Sequence, residues 1–341
     1  MFGRSKPIRV QVFAKTDQGR TREHNEDNFL VADLTRREAS LQPSVRQHDV
    51  GERGTLFMVA DGMGGAAAGE LASEMATKIV YDHLVQHWDA DADTAAQQFA
   101  GRLREAVEAA NSRIHEHAKS HPEVRGMGTT ATVAGLLGDK LYLSQVGDSR
   151  AYLVRNGTAV QLTKDQSLMQ RLVEAGELTE EEAAQSERRN IILQALGPDS
   201  KVKVDLTHQE LRKGDTLVLC SDGLSGQVKK EEIGQIAGGE ADLQKACDKL
   251  IALANERGGP DNITVVVARF DGDGLRPPNG QDEVGHQVYP LIDTETSTEP
   301  VPVYRGSAPP IPKAEIQARS RWMLIALLVL AAAAAALFLA Q

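Results

Sequence analysis

Val59-Ala60-Asp61-Gly62-Met63-Gly64-Gly65 closes the apolar run Leu56-Phe57-Met58-Val59-Ala60. A short continuous apolar run reads as a buried strand, and a carboxylate at its end, where the chain breaks into glycines, is held by a rigid element and faces solvent. Glycine lets the backbone come close to a ligand, so the stretch can be the corner of a metal site. It is equally ordinary turn chemistry after a strand. Whether other carboxylates occupy equivalent positions separates the two readings.

Three others do. Asp148 follows the strand pattern Leu141 to Val146, Asp222 follows Leu217 to Cys220, and Asp261 stands just before Ile263 to Phe270. If the last strand runs antiparallel to the neighbours of the others, all four carboxylates meet at one edge of the sheet. Like charges that close require cations between them. A histidine-free, oxygen-only set selects hard ions, Mg2+ or Mn2+, and two such ions can share a carboxylate and a water aimed at phosphorus. The polar segment Thr16 to Asp27 supplies what such a site lacks, because Arg22 can clamp a phosphoryl group and Asp27 can hold a water from behind. In isolation that segment also reads as a solvated loop.

The rest of the chain frames these positions. Its 341 residues suffice for one large domain or two ordinary ones. A net charge of -10 and a pI near 5.5 argue against nucleic-acid binding, which leaves a basic footprint. Cys220 lies in an apolar strand pattern and Cys247 on an apolar helix face, and both read as core residues. Met1 to Val10 lacks the apolar centre of a secretory signal, so the chain is expected to start in the cytosol.

At the other end, Trp322 to Ala340 is apolar without a charge, and as a helix it would reach about 28 Å, enough for a bilayer core. Arg319 and Arg321 precede it, which by the positive-inside bias keeps the preceding chain cytoplasmic. The expected organisation is a catalytic domain over residues 8–271, a Pro-rich disordered linker over 272–320 and a single transmembrane helix over 321–341. Within the domain, Leu71 to Leu84 and Phe99 to Ile114 carry helical periodicity, and Arg36 to Gly54 reads as a hydrophilic loop. Thr129 to Leu162 reads as a β meander with an Asn156-Gly157 hairpin. Thr163 to Asp199 interrupts the strands with short helices, the second opened by the capping box Thr179-Glu180-Glu181-Glu182.

Taken together, Arg22-Glu23-His24-Asn25-Glu26-Asp27, Asp61-Gly62-Met63-Gly64-Gly65, Gly128-Thr129-Thr130, Gly147-Asp148-Ser149-Arg150, Ser221-Asp222-Gly223-Leu224 and Gly259-Pro260-Asp261-Asn262-Ile263-Thr264 resemble the metal-dependent protein phosphatases of type 2C in their bacterial form. Each motif alone is weak, but six in the family's order are specific. The resemblance covers about Val12 to Phe270 and implies an α+β fold, a four-layer α-β-β-α sandwich of two antiparallel sheets flanked by helices. It implies hydrolysis of phosphoserine and phosphothreonine in proteins, reversing Ser/Thr kinases without a covalent enzyme intermediate. By position it makes Asp61 the bridge between two Mn2+ or Mg2+ ions, gives the Gly62 carbonyl to one, and gives Asp222 and Asp261 to the other. Asp148, with Asp222, would bind the third ion of bacterial relatives. Arg22 would take the substrate phosphate, Asp27 would orient the attacking water, and Glu26 and Asn262 would support these groups from behind. The insertion over 163–199 corresponds to the family's flap. The expected enzyme is a monomer on the cytoplasmic face of the inner membrane, with phosphorylated proteins and a Ser/Thr kinase as partners.

Two departures stand out. Met63 occupies a position where many eukaryotic members carry a histidine assigned as general acid, and Gln166 stands where relatives often have histidine. Among competing readings, a cysteine-dependent phosphatase fails because neither Cys220 nor Cys247 has an arginine six positions on. A pseudophosphatase would lack a metal carboxylate, and Asp61, Asp222 and Asp261 are all present.

Overall fold

Every residue from Leu56 to Ala60 is buried, yet alternate side chains enter different cores. Leu56, Met58 and Ala60 pack among helical residues such as Ala72, Ala76 and Leu103, while Phe57 and Val59 turn to Val266, Ala268 and Phe270. Ile263 to Phe270 divides in the same way, with Ile263, Val265 and Val267 meeting Cys247, Leu250 and Ala254 of a helix. A strand covered on both faces has no solvent side, so its period of two sorts residues between two cores.

The computed structural model describes residues 6–40, 46–92, 94–186 and 188–291. In chain order the elements are β1 Arg9–Asp17, β2 Asn28–Asp33, β3 Glu38–Ser40, β4 Arg46–Asp49, β5 Thr55–Ala60, β6 Gly62–Met63, α1 Ala66–His83 with a π turn Leu84–Trp88, and α2 Ala96–Ser120. After a 3-10 turn at Pro122–Val124 follow β7 Gly128–Thr129, β8 Ala131–Leu137, β9 Lys140–Val146, β10 Arg150–Arg155 and β11 Thr158–Gln161. The chain continues through α3 Leu168–Glu174, α4 Glu180–Gln185, β12 Asp205–Glu210, β13 Thr216–Cys220, α5 Asp222–Ser225, α6 Lys230–Gly239, α7 Leu243–Glu256 and β14 Ile263–Asp271.

One sheet has the order β11-β10-β13-β14-β1-β4 and the other β12-β9-β8-β5-β2-β3, with β6 and β7 as a separate small pair. All the pairings are antiparallel. Helices α1 and α2 cover the second sheet and α6 and α7 the first, giving two antiparallel sheets between helical layers. The Asn156-Gly157 turn adopts positive φ at both residues, 53° and 77°, as a type I′ hairpin demands. Thr179 and Glu182 form the reciprocal capping box.

Four expectations need correction. The segment 36–54, expected to be a loop, contains the edge strands β3 and β4, whose exposure leaves no apolar signature. β12 and α6 were not foreseen, because β12 (Asp-Leu-Thr-His-Gln-Glu) is largely polar. The meander is split at Gly147-Asp148-Ser149, where the chain leaves one sheet at β9 and enters the other at β10. The linker expected from residue 272 instead stays on the domain to Leu291: Val288 bridges Thr207, the His208 amide donates to the Gln287 carbonyl at 2.9 Å, and Tyr289 stacks edge-on against Tyr142. Residues 292–341, with the expected transmembrane run, lie outside the described residues. Among the described residues no helix is long and apolar enough to cross a membrane.

This added segment is tied down by buried charge. Arg155 grips Asp215 through two hydrogen bonds of 2.9 and 2.7 Å, with both side chains buried, and Asp215 also accepts the Arg212 amide at 2.7 Å. The Arg212 guanidinium reaches Asp282 at 2.7 Å. Removing one partner of a buried ion pair leaves the other charge without compensation. Asp215→Ala is therefore expected to destabilise the fold by about 3–5 kcal/mol, read from the shift of the urea unfolding midpoint.

Candidate active site

The carboxylates meet at one end of the sandwich, between the two sheets, and not along the edge of a single sheet. Asp61 and Asp148 follow β5 and β9 of one sheet, whereas Asp222 and Asp261 follow β13 and precede β14 of the other. Asp27 joins them from the turn before β2.

Asp61 is positioned through its backbone. Its amide donates to the Thr130 hydroxyl at 3.0 Å, and its carbonyl accepts the Thr130 amide and the Thr129 hydroxyl, both at 2.9 Å. The Thr130 and Ser149 hydroxyls share a hydrogen bond of 2.8 Å, which links this corner to the turn carrying Asp148. Gln145 braces the turn by donating to the carbonyls of Gly147 and Ser149 at 3.1 and 2.8 Å. Gly147 has φ 103°, and a Cβ there would lie 2.6 Å from the Thr130 methyl, so no other residue fits.

The second link crosses the sandwich. Asn262 donates to the carbonyls of Gln18 and His24 at 2.9 and 2.8 Å, and its side-chain oxygen accepts the Glu26 amide at 2.9 Å. The Glu26 carbonyl accepts the Gly62 amide at 3.2 Å. At Gly62 a Cβ would lie 2.3 Å from the Gly69 carbonyl oxygen and 2.5 Å from that of Glu26. Glu26 and Asn262 thus join the start of β14, the loop over 18–26 and the turn after β5.

Burial is the first cause that pushes these carboxyls upward, and their neighbours add to it. Asp27 rises to about 7, Asp148 to about 8 and Asp222 to about 6, and Asp61 lies well above the ordinary range under the combined fields of Asp27, Asp222, Asp148 and Asp261. Asp27 accepts the Ser221 hydroxyl at 2.7 Å, and Ser221 in turn accepts the Thr264 amide at 3.0 Å. The other oxygen of Asp27 and one of Asp148 are buried with no hydrogen-bond partner. Arg22, half exposed, pairs with Asp261 at 2.7 Å.

These features fit divalent cations. Two orphaned carboxyl oxygens, mutual repulsion and an all-oxygen donor set are what hard cations relieve. Among the described residues no group of three acidic, histidine or cysteine side chains is placed as it stands to hold a metal ion, and Asp261 is turned to Arg22. The sequence reading missed the roles of Thr130, Ser149 and Ser221. The available signal was a serine directly beside Asp148 and Asp222, whereas nothing next to Asp61 in the sequence points to Thr130. It also left Gln166 without a role: its side-chain oxygen accepts the Gly147 amide at 3.0 Å and its amide group donates to Asp205 at 3.0 Å, joining the segment over 163–199 to the Asp148 turn.

Comparison with known proteins agrees with this geometry. The family described as protein phosphatase 2C matches residues 36–264. A serine/threonine phosphatase, stp, from Listeria welshimeri is 39% identical over 254 residues, covering 74% of this chain and 93% of the relative. The crystal structure of the Mycobacterium tuberculosis serine/threonine phosphatase PstP/Ppp superposes with a TM-score of 0.63 at 38% identity, covering 77% of this chain and 99% of the other. A PstP catalytic domain in complex with two manganese ions matches with a TM-score of 0.62 at 36% identity, over 77% and 99% of the two chains.

Thr130 bears no carboxylate, yet it holds both Asp61 and the Asp148 turn. Thr130→Val is expected to weaken Mn2+ binding about 10–100-fold, and Thr130→Ser, which keeps the hydroxyl, to restore it. Titration calorimetry on both variants measures the difference.

Proposed function

From the premise that this chain belongs to the protein phosphatase 2C family, whose members are serine/threonine protein phosphatases, we propose that it hydrolyses phosphoserine and phosphothreonine in proteins at the end of the sandwich where Asp27, Asp61, Asp148, Asp222 and Asp261 converge. The observation that carries this reading is the carboxyl cluster, with buried, unpartnered oxygens on Asp27 and Asp148. Asp61, the Gly62 carbonyl, Asp222 and Asp261 would hold two Mn2+ or Mg2+ ions, and Asp148 with Asp222 a third. When bound, these cations supply a water of lowered pKa and offset the charge of the phosphoryl oxygens.

The remaining work falls to this chain's own groups. Arg22 has a half-exposed guanidinium, so it can leave Asp261 for two phosphoryl oxygens of an incoming substrate. Asp27, fixed by Ser221, keeps its second oxygen free to orient the attacking water. Met63 carries a thioether that donates no proton, so the proton for the leaving serine or threonine oxygen has to come from another group. Attack by a cysteine is disfavoured, since burial pushes the Cys220 thiol up to about 12 and raises that of Cys247 further. The reaction therefore passes directly from phosphoprotein to inorganic phosphate.

The substrates are phosphorylated proteins and include the targets of a Ser/Thr kinase. Residues 321–341, whose stretch Trp322 to Ala340 is apolar by sequence, would anchor the phosphatase in the inner membrane with residues 8–291 on the cytoplasmic side.

With Mn2+ present, Asp61→Asn and Asp222→Asn should each lower phosphothreonine-peptide hydrolysis at least about 100-fold, and EDTA should abolish wild-type turnover. Full turnover in EDTA overturns the reading. Separately, deleting Trp322 to Gln341 should move the active enzyme from the membrane pellet to the supernatant on ultracentrifugation. Persistence in the pellet refutes the anchor.

A further inference from the structure

Among the described residues three large apolar side chains are exposed, and two of them, Ile191 at 43% and Leu193 at 45%, sit two positions apart in one extended segment. That segment is pinned. The Leu168 amide donates to the Ile191 carbonyl at 2.9 Å, the Leu193 amide donates to the Gln166 carbonyl at 2.7 Å, and Ile192 forms an antiparallel bridge with Ser167. A strand-like backbone sends alternate side chains to opposite faces, so Ile191 and Leu193 are held outward together while Ile192 and Gln194 are partly covered.

The segment leads into the candidate site. Three residues beyond Leu193, Leu196 exchanges backbone hydrogen bonds of 3.1 and 2.8 Å with Thr129, whose hydroxyl donates to the Asp61 carbonyl. Gln166, which receives Leu193, also bonds Gly147 beside Asp148. On the other side, Arg188 and Arg189 are exposed, with no ion-pair partner among the described residues. The order along the chain is thus two exposed cations, an outward apolar pair, and a rigid connection to the carboxyl cluster.

We propose that Ile191 and Leu193, with Arg188 and Arg189, form a docking strip for an extended segment of the phosphoprotein substrate that carries an apolar residue close to its phosphorylated residue and acidic residues beyond it. The proposal rests on the phosphatase reading and adds a substrate class to it. The exposed apolar pair loses water when it receives an apolar side chain. The two guanidiniums complement acidic residues on a chain whose own charge is -10. Because the strip lies outside the carboxyl cluster, it acts on peptide binding and leaves the chemistry of a small phosphate ester unchanged.

The test compares wild type, Ile191→Ser/Leu193→Ser and Arg188→Ser/Arg189→Ser in Mn2+, using p-nitrophenyl phosphate and three phosphothreonine peptides. One peptide carries leucine and aspartates near the phosphothreonine, one replaces the leucine by serine, and one replaces the aspartates by asparagine. Wild type should favour the first peptide about 10-fold in kcat/KM. The apolar double variant should lose the leucine preference through KM, the arginine double variant should lose the aspartate preference, and both should match wild type on p-nitrophenyl phosphate. Unchanged peptide preference overturns the proposal. So does an equal loss on both substrate types, which marks a structural role, or a dimer that becomes monomeric in the apolar variant without change in peptide kinetics, which marks a self-interface. Failure of wild type on p-nitrophenyl phosphate overturns the phosphatase reading itself and the strip with it.

Discussion

Five carboxyl groups held at one end of a sandwich repel one another, and much of the surrounding structure is organised against that repulsion. Two unit charges about 4 Å apart repel by about 4 kcal/mol at an effective dielectric of 20, so a flexible chain would let Asp27, Asp61, Asp148, Asp222 and Asp261 drift apart. They stay together because the turns that carry Asp61 and Asp148 are held through the backbone, while the side chains of Asp27 and Asp261 are bonded by Ser221 and Arg22. Asp61 is fixed by three backbone hydrogen bonds to Thr129 and Thr130, and the Asp148 turn by Gln145 and Ser149. Asp222 and Asp261 lie against each other because β13 and β14 pair in register from Thr216 to Cys220.

The cross-sheet connection is the other half of this constraint. Two sheets that touched only through apolar side chains could slide, and the carboxylates they carry would move with them. Asn262 prevents this by bonding the loop over 18–26, whose Glu26 carbonyl receives the Gly62 amide after β5. The close approach needs glycine at 62, where any side chain would strike backbone oxygens. A motif that reads as turn chemistry is therefore also the joint between the layers. The site is left with carboxyl oxygens that no protein group satisfies, a state a fold retains when a ligand completes it.

Legibility in the sequence followed burial. β5, β9, β13 and β14 are rich in apolar residues because they are covered on both faces, and each was read at nearly its observed bounds. β3, β4 and β12 were not, because an edge strand keeps polar residues on its open side and hydrogen-bonds through a backbone that carries no side-chain signature. The segment from Gly272 to Leu291 misled for a related reason. Its prolines, glycines and charges look like linker composition, yet Asp282 finds Arg212 and Tyr289 finds Tyr142 and His208. Those partners lie some 70 to 150 residues earlier, a range over which composition says nothing.

The sequence by itself determined the chemistry: aspartates at the ends of apolar runs, glycines beside them, an arginine and further acids in one polar segment, and no histidine among the proposed ligands. Their order along the chain was enough to point to a family, because motif spacing survives where contacts cannot be read. Tertiary structure decided where the groups meet. The chain switches sheets at Gly147-Asp148-Ser149, so what a linear reading joins as one meander contributes to both layers, and the aspartates converge between the sheets instead of along one edge. Strand partners are chosen by the packing of three separate cores, and that choice depends on surfaces that exist only once the helices and sheets have formed.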